Sequence, residues 1–151
     1  MWSREELEQR IATAGIKGKC WGRFGRSAID EIEQALEITL CTVLRDFGGN
    51  VGNLIVGPFS LLVCGSEDRV LSCVTETAVI RRSGNPYAKR LVKIMDHAGE
   101  SYFGVSDSDA ILCYDSINIA EGAETQSFSN LEQFVNWAFE EAKAIGMNKK
   151  I

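Results

Sequence analysis

The stretch from 90 to 115, "RLVKIMDHAGESYFGVSDSDAILCYD", leaves a chain little freedom in how it can fold. It holds three runs rich in β-branched, aromatic and aliphatic residues: "RLVKIM", "SYFGV" and "AILCYD". Runs of that length and composition read as strands. Their joins are only "DHAGE" and "SDSD". Parallel neighbours need a crossover of about a dozen residues or more, so joins this short require an antiparallel meander. "INIAEGAETQ", directly after, adds a further short strand or a loop.

Helical patterns flank this meander. "WSREELEQRIATAG" reads as a short helix, capped by Ser3 with Glu6 three residues on and closed by Gly15. Residues 15–26 are rich in glycine and basic groups and read as an exposed connection. A second helix opens at Ser27. Ile29, Ile32 and Leu36 recur at helical spacing, continuing to Leu40, Val43 and Phe47, with Asp30, Glu31, Glu33 and Gln34 on the opposite face. "NLIVG" and "FSLLVC" read as strands. "SEDRVLSCVTETAVIRR", 66–82, reads as a third helix with Ser66 as its cap and Val70, Leu71, Val74 and Ala78 inward, followed by the turn "SGNPY". In the last helix, Ser129 and Glu132 make a capping box. Leu131, Phe134, Val135, Ala138, Phe139, Ala142 and Ile145 form its apolar stripe, and Gly146 ends it. Helices on either side of antiparallel strands define an α+β domain.

Four glycines fall within "FGGNVGNLIVG" (47–57), which raises the question of a phosphate loop. Such loops follow a strand and open a helix, so that free N–H groups face the anion. Here a helical pattern ends and a strand-like run begins. No Lys-Ser/Thr pair and no GxGxxG spacing accompany it. The segment reads as a helix stop, with Gly48 and Gly49 as the left-handed cap.

At 151 residues the chain is long enough for one ordinary domain with a real core. The N-terminus is charged from its third residue and lacks an apolar signal core, and "NLIVGPFSLLVCG" is too short to span a membrane. The five cysteines, Cys20, Cys41, Cys64, Cys73 and Cys113, form no CxxC and sit largely in apolar runs. They read as reduced, hydrophobic thiols of a cytoplasmic protein. Charge is unevenly spread. No Lys or Arg occurs between Lys93 and Lys143, an interval that holds ten acidic residues. Such a surface repels nucleic acid and attracts basic partners, whatever it also adds to solubility.

Chemistry-bearing patterns are sparse. His97, the only histidine, lies in the turn sequence "DHAGE" and has no local support for pairing with Cys113 or Cys73. Asp107 and Asp109 resemble the start of a calcium loop, but the Gly and distant Glu are missing, so they read as turn residues. No GxSxG, HExxH or DFG occurs. No catalytic, cofactor-binding or metal-ligating residue is assigned.

In order, the segments "IDEIEQAL" (29–36), "LRDFGGN" (44–50), "LIVG" (54–57), "VTET" (74–77), "AGESYFGVSDSDAILCYD" (98–115) and "SFSNLEQFV" (127–135) resemble the SUKH superfamily. That superfamily is best known for bacterial immunity proteins and also includes yeast cell-wall regulators. The resemblance is strongest over 27–142 and implies two helices, the second ending in the glycine pair, with a break near Thr39; it departs at Leu40-Cys41, where relatives have Leu-Pro at that junction. It implies a single α+β domain over 1–151, with a mostly antiparallel sheet of about five to six strands and N-terminal and C-terminal helices packed on it. It also implies a non-enzymatic protein that binds and neutralises a cognate, basic, nuclease-type toxin by steric and electrostatic blockade. A cytosolic adaptor of the same fold is the alternative. The acids of the cation-free interval, Asp96, Glu100, Asp107, Asp109, Asp115, Glu121 and Glu124, are the candidate partner contacts. A protein partner is expected, not a nucleic acid or a membrane.

Overall fold

A computed structural model describes residues 2–22, 25–62, 77, 81–82, 88–115 and 124–148. The first helix, α1 (Arg4–Ala14), is bounded as its sequence requires. The Ser3 hydroxyl accepts from the Glu6 backbone N–H at 3.2 Å, and Gly15 closes the helix in the left-handed region at φ 66°. Leu7 and Ile11 are its buried face.

The connection after α1 contains a strand that the sequence reading missed. β1 (Gly18–Trp21) pairs antiparallel with β2 (Asn53–Val56), which in turn pairs with β3 (Phe59–Leu61). Of β1's four residues only Cys20 is fully buried, so it carries no alternating apolar signal; its strand conformation comes from the partner edge.

The long helical pattern from Ser27 to Phe47 is two helices, α2 (Arg26–Leu36) and α3 (Thr42–Asn50). Glu37 breaks it by taking the left-handed conformation at φ 56°. The Glu33 carboxylate holds the corner, accepting from the Leu40 N–H at 2.8 Å and pairing with Arg45 Nε at 3.5 Å. The apolar spacing survives the break because both helices face one core, through Ile29, Ile32, Leu36, Leu44 and Phe47. Gly48 and Gly49 are not the cap. They lie inside α3, and the Phe47 carbonyl accepts from Val51 and Gly52, with Gly52 the left-handed residue at φ 81°. The segment remains a helix stop, displaced by one turn.

The meander is as expected. β4 (Leu91–His97), β5 (Glu100–Val105), β6 (Ser108–Asp115) and β7 (Glu124–Phe128) form an antiparallel sheet in sequence order. Ala98 and Gly99, both at positive φ, make the tight β4–β5 turn. A bulge at Ile94 frees that residue's carbonyl to accept from Leu62 N–H at 2.7 Å, which ties the end of β3 to β4. The class is α+β, with seven described strands divided between two antiparallel sheets.

Both faces of the larger sheet are buried. Val92, Met95, Tyr102, Ile111, Cys113 and Phe128 join the main core with the helices. Leu91, Phe103, Val105 and Tyr114 form a second cluster on the other face. This explains why "SYFGV" reads as a continuous apolar run rather than an alternating one. Of the expected third helix, 66–82, Thr77 and Arg81 are helical, Thr77 is buried, and its hydroxyl accepts from the Lys93 N–H at 2.9 Å; most of that segment lies outside the described residues.

The last helix, α4 (Leu131–Asn148), starts and ends differently from the expectation. Its cap is Asn130, whose Oδ1 accepts from the Gln133 N–H at 2.9 Å, while Gln133 Oε1 accepts from the Ser129 N–H at 3.2 Å. The box is therefore one residue later than Ser129 and Glu132. Gly146 lies within the helix, since the backbone hydrogen bonds continue past it. Trp2 covers the core by meeting Phe47 edge-on at 6.2 Å.

Candidate functional site

The seven acids singled out from the sequence do not share one surface. Strand register places Asp96, Glu100 and Asp115 at one end of the larger sheet, with His97 opposite Glu100 and Glu100 opposite Asp115. Asp107 and Asp109 belong to the β5–β6 turn region at the other end, about 17 Å away along β5 at some 3.4 Å per residue. Glu124 opens β7; Glu121 lies outside the described residues.

Several of these carboxylates already have partners. Asp107 takes two hydrogen bonds from the Arg90 guanidinium, the shorter at 2.8 Å, which hold its carboxyl below the usual carboxylate range. Asp96 pairs with Lys93 Nζ at 2.7 Å and accepts from the Ser101 hydroxyl at 2.6 Å. Asp109 is exposed. The cation Arg90 is 17 positions from Asp107, so only the folded register reveals that this acid is neutralised.

Glu100 is a structural acid as much as a surface one. Its Oε2 accepts from the Cys113 thiol at 2.9 Å and from the Tyr102 hydroxyl at 3.2 Å. Thr125 Oγ1 lies 3.5 Å from the same sulfur. The described bonds of Cys113 thus run to Glu100 and Thr125, and His97 instead packs its ring on Phe59 at 4.5 Å. Removing the acceptor leaves two donors stranded, so Glu100→Ala is expected to cost about 1–3 kcal/mol, and Glu100→Gln clearly less because an amide oxygen remains. Thermal unfolding of the two variants checks the order; equal losses would deny the network.

The thiols give a pH signature. Burial lifts Cys113 from 9.0 to about 11, with the Glu100 carboxylate adding to the rise. Burial, then Glu8, lifts Cys20 to about 11. Tyr102 and Cys41 are also raised, chiefly by burial. Between pH 9 and 11 the folded chain keeps protons that the unfolded chain releases. Stability is therefore complete below pH 9 and falls as pH rises through 11. Urea midpoints measured at pH 7, 9 and 10.5 should hold level and then drop, and a flat profile would contradict the burial of these groups.

Beside Glu100 lies an aromatic assembly that the sequence pattern showed only as a core stripe. Trp137, half-buried on α4, meets Phe59 at 5.2 Å, Phe128 at 5.4 Å, Tyr102 at 5.7 Å and Phe134 at 5.8 Å between ring centroids. Its spacing on the helix placed it off the main stripe of 131, 134, 135 and 138, which was the available signal. Among the described residues, no group of three or more His, Cys, Asp or Glu side chains is arranged to hold a metal ion. No described helix is long and apolar enough to cross a membrane.

No protein-family model matches the chain, and no curated protein does. A solved structure described as the crystal structure of a protein from Pseudomonas syringae pv. tomato is similar, with a TM-score of 0.64. The match covers 87% of this chain and 95% of that one at 16% identity. The likeness is one of fold.

Proposed function

We propose that this chain is an immunity-type protein of the cytoplasm that binds a cognate toxin domain and neutralises it by covering its working surface, with no chemistry of its own. The observation that carries this reading is the order of the resembling segments on the elements. "IDEIEQAL" supplies most of α2, "LRDFGGN" closes α3, "LIVG" supplies β2, "AGESYFGVSDSDAILCYD" supplies the β5–β6 hairpin, and "SFSNLEQFV" runs from β7 into α4. An α+β domain with these segments in this order supports the SUKH resemblance beyond what any one motif carries.

Blockade needs only surface. A stable interface buries about 800 Å² per partner. The protein exposes 8224 Å², so about a tenth of it is enough. An acidic inhibitor also meets a basic nuclease with a fast, salt-sensitive on-rate.

The test is co-expression with a toxin domain encoded beside this chain. Restored growth, together with a one-to-one complex weakened by salt, is the expected result. Retention of a set of signalling proteins, with no protection against any neighbouring toxin, would overturn it in favour of an adaptor.

A further inference from the structure

The rings around Trp137 connect, contact by contact, to the end of the larger sheet that carries His97 and Glu100. Trp137 meets Phe59, which carries the His97 ring, and it meets Tyr102, whose hydroxyl donates to Glu100. Trp137 and His97 are each partly exposed, so this chain of rings reaches solvent at both members. Gln133, Glu140 and Glu141 stand one turn from Trp137 on α4 and are exposed. Residues 94–142 contain no Lys or Arg. They supply the end of β4, all of β5, β6 and β7, and α4 as far as this patch. β3, which brings Phe59, is uncharged. The patch thus pairs an aromatic floor with carboxylates, and the Lys93 ammonium of β4 is already held by Asp96 at 2.7 Å.

We propose that Trp137, His97 and Glu100, flanked by Glu140 and Glu141, form the docking surface for the partner protein and receive an arginine-bearing loop of it. This inference rests on the immunity reading and adds to it the end of the sheet that binds and the side chain that is bound. A guanidinium stacks over an indole face and pairs with carboxylates through its planar fork, which a lysine ammonium does less well. The other flank of α4 already shows the geometry, with the Arg10 guanidinium 4.1 Å over the Phe139 ring. Four neighbouring rings fix Trp137 in place, so little side-chain freedom is lost when a partner covers it, as at interface anchors that carry most of the binding energy. The opposite end is a poorer recipient, because Arg90 already occupies Asp107.

The probe is a short peptide, Gly-Arg-Gly-Arg-Gly amide, titrated into the full-length 15N-labelled protein, with the glutamine-for-arginine peptide as control. The indole N–H signal of Trp137, assigned through a Trp137→Phe variant, and the amides of His97 and Glu100 should shift saturably with the arginine peptide alone. Glu140→Lys/Glu141→Lys, both on the solvent side of α4, should weaken the apparent affinity at least fivefold while the rest of the spectrum stays native. Shifts centred on Asp107 and Asp109, no shift at Trp137, or an affinity unchanged by the double reversal would overturn the proposal. Protection against a toxin provides the separation from the immunity reading. If the wild type protects and the double reversal protects equally, the docking surface is wrong and the function stands. If the wild type does not protect, the function fails, and the titration still decides what this patch binds.

Discussion

Phe134→Ala is expected to lose about 3–5 kcal/mol, the usual cost of emptying a fully buried phenylalanine site. Phe134 is 0% exposed and sits between α4 and the larger sheet. Its ring meets Phe128 at 5.2 Å, Tyr102 at 5.4 Å and Trp137 at 5.8 Å. Truncation therefore removes the transferred ring, leaves a cavity and loosens three aromatic partners at once, each pair worth about 0.5–1.5 kcal/mol beyond its buried area. Against a total stability of about 5–15 kcal/mol the loss is large, and the melting temperature should fall by roughly 10 °C or more. Phe134→Leu keeps most of the volume and should cost much less. Urea unfolding of both variants measures this; a loss under 1 kcal/mol for alanine would mean that α4 does not seat on the sheet through this ring.

Gly18→Ala should be the most damaging small substitution in the chain's first third, costing about 2–3 kcal/mol through overpacking. A methyl at position 18 would stand 2.2 Å from the Ile55 carbonyl oxygen and 3.2 Å from Ile11 Cδ1. The oxygen belongs to the backbone of β2, so relief requires β1 to move off its partner and away from α1. Gly49→Ala is the contrast. No atom lies within 4 Å of its added methyl, and its place inside α3 favours alanine, so it should stabilise by up to about 1 kcal/mol. Hydrogen exchange adds a local reading, since Gly18→Ala should expose the β1 and β2 amides first. Equal urea midpoints for Gly18→Ala and the wild type would refute the close approach of the two strands.

The parts of the fold that were legible share a physical origin. α1 was readable because Ser3 and Gly15 act on their own backbone neighbours, and the β4–β5–β6 meander because short joins permit only one pairing. β1 was illegible because its four residues bury a single side chain, and pairing with β2 is a decision made far along the chain, Gly18 against Val56 and Trp21 against Asn53. The break between α2 and α3, implied by the family resemblance, left no mark on the apolar spacing for another reason. Two helices packed on one core repeat the same apolar spacing as one, and only Glu37's left-handed backbone and Glu33's reach to Leu40 separate them. Asn130 took the cap from Ser129 because both are competent caps one residue apart, and the packing of Leu131 and Phe134 set the helix phase.

The candidate site divides in the same way. By itself the sequence determined the composition of the surface: a long interval without cations, carrying acids and an aromatic-rich last helix, is acidic however it folds. Tertiary structure decided which of those acids are available. Register separated Asp107 from Glu100 by the length of β5, folding brought Arg90 onto Asp107, and Cys113 and Tyr102 engaged one oxygen, Oε2, of the half-buried Glu100. It also packed Trp137 against Phe59 and, through that ring, linked it to His97. Charge is a property of residues and is additive along a chain, whereas pairing and burial are properties of positions in space that only the packed strands and helices create.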